Sequence, residues 1–207
     1  MHSSFNKSIE VDFRESFKQI EDLKEPIVTV FGSARTPESD YYYKQSLKLS
    51  KKLSDKGCNI LTGGGPGIME SANRGAFQSQ GSGKSIGFNI VLPHEQESNG
   101  YTDLDYNFRH LFVRKPMLIL HSKIFIVFPG GFGTLDELFE VVTLIQTKIM
   151  KNKKIFLFGY EFYKPLFDFI EKSLLTNKMI KEEDLKFLKV VDSIEEILEE
   201  CHCKNDE

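Results

Sequence analysis

Three short glycine-rich segments each follow an apolar run in the sequence. They are residues 31–35 (Phe-Gly-Ser-Ala-Arg), residues 62–67 (Thr-Gly-Gly-Gly-Pro-Gly) and residues 128–134 (Phe-Pro-Gly-Gly-Phe-Gly-Thr). Glycine lets backbone amides approach an anion, and the N-terminus of a following helix adds partial positive charge. One such segment is explained by a tight turn alone. Three of them at the ends of predicted strands indicate a phosphate-bearing ligand.

The third segment leads into a helix that carries acidic residues. Thr134 is placed to cap this helix, and Asp136 and Glu137 fall in its predicted first turn. Acidic residues there are ordinarily favourable partners of the helix dipole, so a structural role stays open. They would repel a phosphate at the same helix start unless cations offset their charge. Thr143 lies two turns after Asp136 on the same helix face.

Arginine is scarce in this chain and lies near these segments. The 27 basic residues comprise 22 lysines and five arginines, which are Arg14, Arg35, Arg74, Arg109 and Arg114. Arginine holds phosphate or ribose in a bidentate geometry and stays charged. A carboxylate beside a sugar stabilises an oxocarbenium-like transition state or activates water. An anion site with a carboxylate and an arginine therefore suits cleavage of the N-glycosidic bond of a nucleoside monophosphate, and binding without cleavage stays open.

Other phosphate and metal chemistries fit the motifs less well. The glycine spacing at 63–67 is not the G-x-G-x-x-G of dinucleotide sites, and residues 88–91 offer no acidic side chain for a ribose, which disfavours NAD. Residues 83–85 imitate the end of a P-loop but lack its upstream glycine and lie between a helix and a strand. The Cys-His-Cys at 201–203 has no second ligand pair, so we expect no metal site.

Strand and helix patterns alternate along the chain, and this predicts an α/β fold: a three-layer, Rossmann-like parallel sheet with helices on both faces. Ligands of such sheets bind at the carboxyl ends of the strands. We expect a helical extension over 1–25, amphipathic through five apolar residues, and a single domain over 26–203. The predicted strands cover 27–31, 58–62, 84–92, 123–128, 154–158 and 186–191, and the predicted helices cover 36–57, 67–80, 113–121, 134–150, 164–175 and 193–201, with 93–107 irregular; the apolar residues of the extension are Phe5, Ile9, Phe13, Phe17 and Ile20.

Composition limits the partners and the location. The 207 residues carry a net charge of −3, so no basic excess indicates a nucleic acid or a membrane as partner. The chain has no long apolar run or apolar signal core, and its three cysteines do not suit a secreted disulfide framework. We therefore expect a cytoplasmic protein. The helix over 138–149 is apolar nearly all round and is a candidate contact for a homodimer.

The combined motifs resemble the Lonely Guy (LOG) family. Residues 129–137 match its PGGxGTxxE signature, and the resemblance extends through residues 63–70, 85–89 and 113–115. Members of the family are nucleoside 5′-monophosphate phosphoribohydrolases, commonly dimeric, and the plant enzymes release cytokinins from their ribotides. This chain is similar to the longer bacterial members, which are often labelled lysine decarboxylases, although no pyridoxal-phosphate lysine context is recognisable.

The resemblance implies roles for individual residues. Glu137 corresponds to the catalytic carboxylate and Arg114 to the catalytic arginine. AMP or an N6-modified cytokinin ribotide would be hydrolysed to the free base and ribose 5-phosphate, without a cofactor or a metal; the alternative is a non-catalytic nucleotide-binding or carrier protein of the same fold. The implied substrate-binding residues are Ser33, Glu95, Lys115, Gly131, Gly133, Thr134, Asp136 and Thr143.

For three further residues we expect a structural role or a position that does not take part in the chemistry. We expect Arg74 to be structural, Arg109 to form an ion pair, and Pro116 to occupy the first turn of the helix that carries Arg114.

Overall fold

Seven parallel strands form one sheet in the order β4-β3-β2-β1-β5-β6-β7. The computed structural model describes residues 2–91 and 98–201. A π-helical turn (Ile170–Leu175) and a 3-10 turn (Glu182–Leu185) complete the described elements. The strands are β1 (Ile27–Phe31), β2 (Asn59–Thr62), β3 (Ser85–Ile90), β4 (Leu104–Phe108), β5 (Ser122–Val127), β6 (Lys154–Phe158) and β7 (Leu188–Val191), and the helices are α1 (His2–Lys18), α2 (Tyr41–Asp55), α3 (Ile68–Phe77), α4 (Leu111–Ile119), α5 (Phe132–Gln146), α6 (Tyr160–Phe169) and α7 (Ile194–Glu200).

Helices cover both faces of the sheet, which confirms the predicted three-layer, Rossmann-like architecture. Helices α2, α3 and α7 pack on one face, where Leu49 and Ile197 belong to the same apolar core as Val28. Helices α4 to α6 pack on the other face, where Val113 and Leu138 join the core around Phe125 of β5. Every residue of β1 is buried, as expected of a central parallel strand that is covered on both sides.

The edge strand β4 lies in a segment that the sequence pattern assigns to irregular structure. Its burial alternates, with Leu104, Tyr106 and Phe108 turned inward and Asp105 and Asn107 exposed. An edge strand half covered by other elements needs only this alternation and no continuous apolar run. Five residues of alternating polarity are too short a signal to stand out from a loop.

Several helices begin at other residues than the sequence pattern indicates, α2 and α4 among them. Helix α2 begins at Tyr41, because Asp40 caps it by accepting a 2.7 Å hydrogen bond from the Tyr42 N–H, so Thr36 and Pro37 lie in the preceding loop. Pro116 lies in the interior of α4 and not in its first turn. It cannot donate to the carbonyl of Phe112, and that residue is exposed, so water can take the place of the missing bond.

Helix α1 packs through a buried carboxylate as well as through apolar residues. Of the apolar residues in the extension, Phe5, Phe13 and Phe17 stay 40–49% exposed, while Ile20 is buried. The fully buried Asp12 accepts hydrogen bonds from the Tyr106 hydroxyl (3.1 Å) and from the N–H groups of residues 109 (2.9 Å) and 110 (3.2 Å). These two N–H groups precede α4, so α1 fixes the start of that helix.

Two further findings concern the described part of the chain. None of its helices combines the length and the hydropathy that a membrane span requires. No group of three histidine, cysteine or acidic side chains in it is placed to hold a metal ion.

The Asp12→Ala variant tests the attachment of α1. It leaves two backbone N–H groups and a tyrosine hydroxyl without their acceptor, and each unpaired buried donor costs about 1–3 kcal/mol. We expect the free energy of unfolding, measured in urea, to fall by about 2–4 kcal/mol in total. Glu10→Ala on the exposed face of α1 is the control and should change it by less than about 0.5 kcal/mol. Equal unfolding midpoints for the two variants would contradict this account.

Candidate functional site

The three glycine-rich segments meet at the carboxyl end of the sheet. The chain leaves β1 toward β2 on one side, while β5 pairs with β1 on the other, so this end is a topological switch point. The Ser33 N–H donates to the carbonyl of Pro129 (3.1 Å), and the Ile68 N–H donates to the carbonyl of Ser33 (3.0 Å). Gly67 has a φ of +68°, and a Cβ there would overlap the Ser33 carbonyl. The loops after β1, β2 and β5 are therefore packed together.

Arg114 projects from α4 into a socket that the second glycine segment forms. Its side chain is 9% exposed, and it donates from Nε to the carbonyl of Phe88 (2.6 Å) and from Nη2 to that of Gly63 (3.3 Å). A Cβ on Gly63 would overlap Nη2, so this glycine makes room for the guanidinium. Gly63 thus accommodates a cation, and the expected approach of the segment's backbone amides to an anion stays a prediction. Burial lowers the pKa of Arg114, and the nearby charge of Glu137 raises it.

Glu137 lies beside this guanidinium, on α5. Its Oε1 is 3.8 Å from Arg114 Nη1, which is an ion pair too long for a hydrogen bond, and its side chain is 17% exposed. Burial raises the pKa of Glu137 to about 7; Arg114 and Lys115 act to lower it, while Asp136 and Glu140 act to raise it. The carboxyl group therefore exchanges a proton near neutral pH, the property expected of a general acid or base.

A second cluster of charges lies next to this pair. Lys115 Nζ is 2.9 Å from Asp136 Oδ2 and 2.7 Å from Glu140 Oε2. Burial lowers the pKa of Lys115, but its bonds to Glu140 and Asp136 outweigh burial and raise the pKa overall. A cavity of about 350 Å³ opens here, and its lining residues are Lys115, Asp136, Phe139, Glu140, Thr143 and Leu144. The Thr143 hydroxyl donates to the carbonyl of Phe139 (2.7 Å).

The start of α5 faces open space. The helix begins at Phe132 with Gly131 as its N-cap, so Thr134 is not the cap, and Asp136 and Glu137 lie in the second turn. The first N–H to bond within the helix is that of Leu135, which donates to the Gly131 carbonyl (3.0 Å), and the N–H groups of 132–134 precede it. A Cβ on Gly131 or Gly133 would meet nothing within 4 Å. This helix end can accept an anion because no carboxylate occupies its first turn.

Two of the predicted residues remain, Ser33 and Glu95. Ser33 is in the adjoining loop, where its hydroxyl accepts from the Arg35 N–H (3.0 Å). Glu95 lies outside the described residues. Arg74 forms an ion pair with Glu38 (3.1 Å), and the Arg109 side chain is exposed.

Sequence reasoning missed two residues that contribute to this site. Glu140 shares Lys115 with Asp136, and the four-residue spacing between the two acids on one helix could have indicated it. Asn89 lies under the second glycine segment, and its place in the 85–89 motif of the resemblance and near the end of β3 could have indicated it.

Known proteins resemble this chain in sequence. The family model described as "Possible lysine decarboxylase" matches residues 69–201. A probable cytokinin riboside 5′-monophosphate phosphoribohydrolase of Arabidopsis thaliana is 30% identical over 150 residues, which cover 71% of this chain and 73% of the plant protein. A protein of the same description from Oryza sativa subsp. japonica is 30% identical over 149 residues, 71% of this chain, and the match spans only 60% of the rice protein.

A solved structure shares the fold at lower sequence identity. The molybdenum cofactor carrier protein of Chlamydomonas reinhardtii superposes with a TM-score of 0.62 and 20% identity. The superposition covers 86% of this chain and 96% of that one. At this identity the likeness concerns the fold.

The Glu137→Gln variant tests the burial of the carboxylate. The pKa of Glu137 is raised in the folded protein, so its protonated form contributes stability that is complete below its unfolded pKa and is lost as the pH rises through about 7. Glutamine mimics the protonated form at every pH. In urea unfolding we expect the stability of the variant relative to the wild type to rise by about 2–3 kcal/mol between pH 4 and pH 8. The exposed Glu161→Gln is the control, and a pH-independent difference would refute the raised pKa.

Proposed function

The chain belongs to the LOG family, and from this premise we propose that it hydrolyses the N-glycosidic bond of a purine nucleoside 5′-monophosphate, AMP or an N6-modified cytokinin ribotide. The products are the free base and ribose 5-phosphate. The observation that carries the proposal is the buried pair of Arg114 and Glu137, one helical turn from the open N-terminus of α5. A protein that only binds phosphate has no use for a carboxylate beside it.

The substrate phosphate binds at the start of α5, where the N–H groups of 132–134 and the absence of side chains at Gly131 and Gly133 accommodate it. Helical rise places Glu137 about 6 Å further along the axis than Gly133, roughly the span of a ribose 5-phosphate. The anomeric carbon then lies against the Glu137 carboxylate, and the cavity lined by Lys115, Asp136 and Thr143 lies beyond it for further substrate contacts.

Hydrolysis in this arrangement uses the two buried groups in sequence. The ionised Glu137 stabilises positive charge on the ribose as the bond to the base breaks, and it accepts a proton from the water that attacks the anomeric carbon. The departing base takes the electron pair of the broken bond and is stabilised by the Arg114 guanidinium. Glu137 then passes the proton to the base. A carboxyl pKa near 7 suits both steps.

The residues do not fit the pyridoxal phosphate that a lysine decarboxylase would hold. A Schiff-base lysine must lose its proton readily. Lys115, which adjoins Glu137, lies within 2.9 Å of two carboxylates, and its pKa is raised. The name of the matching family model therefore does not describe the chemistry of this site.

We also propose that the protein is a cytoplasmic homodimer that associates through α5. Phe139 on this helix is 38% exposed, Phe132 at its start is 94% exposed, and Ile149, three residues after its end, is 69% exposed. Large apolar groups exposed together are typical of an interface. Light scattering should give twice the chain mass of 23.8 kDa, and Ile149→Glu should shift the mass toward that of one chain. A single-chain mass for the wild type would refute the dimer.

Substitution of the buried pair tests the activity. We expect Glu137→Gln and Arg114→Ala each to reduce release of adenine and ribose 5-phosphate from AMP about 100-fold or more, because each removes charge stabilisation of the transition state. Glu161→Gln and Arg14→Ala at exposed positions are the matched controls and should keep wild-type rates. Circular dichroism spectra establish that all four variants are folded.

The same assay separates hydrolysis from the carrier alternative. The wild type is incubated with a panel of purine and pyrimidine nucleoside monophosphates, including N6-prenylated AMP. Tight binding of one of them with no product across the panel would favour a carrier, the role for which the Chlamydomonas protein is named. Wild-type turnover by either buried-pair variant would remove the assignment of that residue.

A further inference from the structure

Asn89, on β3, is a buried amide whose side chain reaches the second glycine segment. It is 3% exposed, and its nitrogen lies 3.1 Å from the carbonyl of Gly63 and 3.2 Å from that of Gly64. Its oxygen lies 3.3 Å from the Ser98 hydroxyl. This is the amide orientation in which each group finds a partner of opposite character. Three polar groups from two loops therefore converge on one side chain.

The backbone around Asn89 is shaped to admit the amide. Gly64 has a φ of +69°, and a Cβ at this glycine would lie 2.6–2.8 Å from the atoms of the Asn89 amide group. Both the conformation and the space require glycine there. Two carbonyl acceptors and one hydroxyl donor also require a group with two N–H bonds and one oxygen, which among side chains of this size only asparagine provides.

The carbonyl of Gly63 connects Asn89 with Arg114. It accepts from Arg114 Nη2 (3.3 Å) as well as from Asn89, and Arg114 Nε bonds the carbonyl of Phe88, the residue before Asn89. The guanidinium is thus oriented by two carbonyls, one held by the Asn89 side chain and the other next to it in β3. This orientation sets the 3.8 Å separation of Nη1 from Glu137.

We propose that Asn89 is a positioning residue for the hydrolysis: it fixes the Gly63 carbonyl so that Arg114 faces Glu137. The expected effect on kcat rests on the proposed function. The placement of Arg114 beside Glu137 can be tested without measuring turnover. Asn89 acts through Arg114 and is not assigned a contact with the substrate.

Asn89→Ala and Asn89→Ser, compared with Asn107→Ala, test the proposal. Asn107 is the register partner of Asn89 in β4 and is exposed, so it is a matched asparagine with no contact to the site. We expect Asn89→Ala to lower kcat about 10- to 100-fold with little change in KM for AMP, because a guanidinium that has moved stabilises the transition state less. Asn89→Ser keeps one hydroxyl donor and should lie between Asn89→Ala and the wild type.

The pKa of Glu137 gives a readout independent of turnover. Four charged groups face this carboxyl: Arg114 and Lys115 from α4, and Asp136 and Glu140 from α5. Only Arg114 is displaced in Asn89→Ala, and its charge lowers the pKa of Glu137, so the pKa should rise. Carboxyl ¹³C titration should show that rise in Asn89→Ala, a smaller one in Asn89→Ser and none in Asn107→Ala.

The outcomes separate the two proposals. An unshifted Glu137 titration in folded Asn89→Ala and Asn89→Ser overturns the positioning role, even if kcat falls. A shifted titration in a protein that cleaves no monophosphate sustains the positioning of Arg114 and overturns the hydrolase. If Asn89→Ala does not fold, Asn89→Ser alone decides, by the same shift or its absence.

Discussion

The buried positive charge of Arg114 is the constraint on which the site depends. A guanidinium leaves water only if its N–H groups find acceptors and a counter-charge lies nearby. The carbonyls of Phe88 and Gly63 supply the acceptors, and Glu137 supplies the counter-charge at 3.8 Å. Gly63 cannot carry a side chain because the guanidinium fills that space. The same burial holds the carboxyl group of Glu137 at a pKa of about 7, where it can exchange a proton.

The rest of the fold brings these groups to one end of the sheet. The parallel order places the loops after β1, β2 and β5 side by side, and α4 and α5 carry the cation and the carboxylate on neighbouring elements. Helix α1 adds to this because Asp12 bonds the two N–H groups that precede α4. Helix α1, which precedes the first strand, therefore contributes to the placement of Arg114.

The alternation of apolar strands with helices made the fold predictable, since parallel strands buried on both faces leave a strong pattern. The edge strand β4 left no such pattern because Asp105 and Asn107 face solvent. The glycine-rich segments did not reveal which of their glycines face a ligand site. A Cβ on Gly133 would point into open space, whereas a Cβ on Gly63 would meet the Arg114 guanidinium. The spacing of glycines in the sequence does not distinguish these two situations. The raised pKa of Glu137 could not be predicted from the sequence either, because it results from burial of the carboxyl group in the folded protein. The motif alone grouped Arg114 with Glu137, and their ion pair agrees with that grouping.

The most direct test of this account is a crystal structure of the Glu137→Gln variant with AMP bound. The account predicts the phosphate at the start of α5, within hydrogen-bond distance of the N–H groups of Gly133 and Thr134, with the anomeric carbon between residue 137 and Arg114. AMP bound with its phosphate elsewhere, or with its glycosidic bond remote from Arg114, would contradict it.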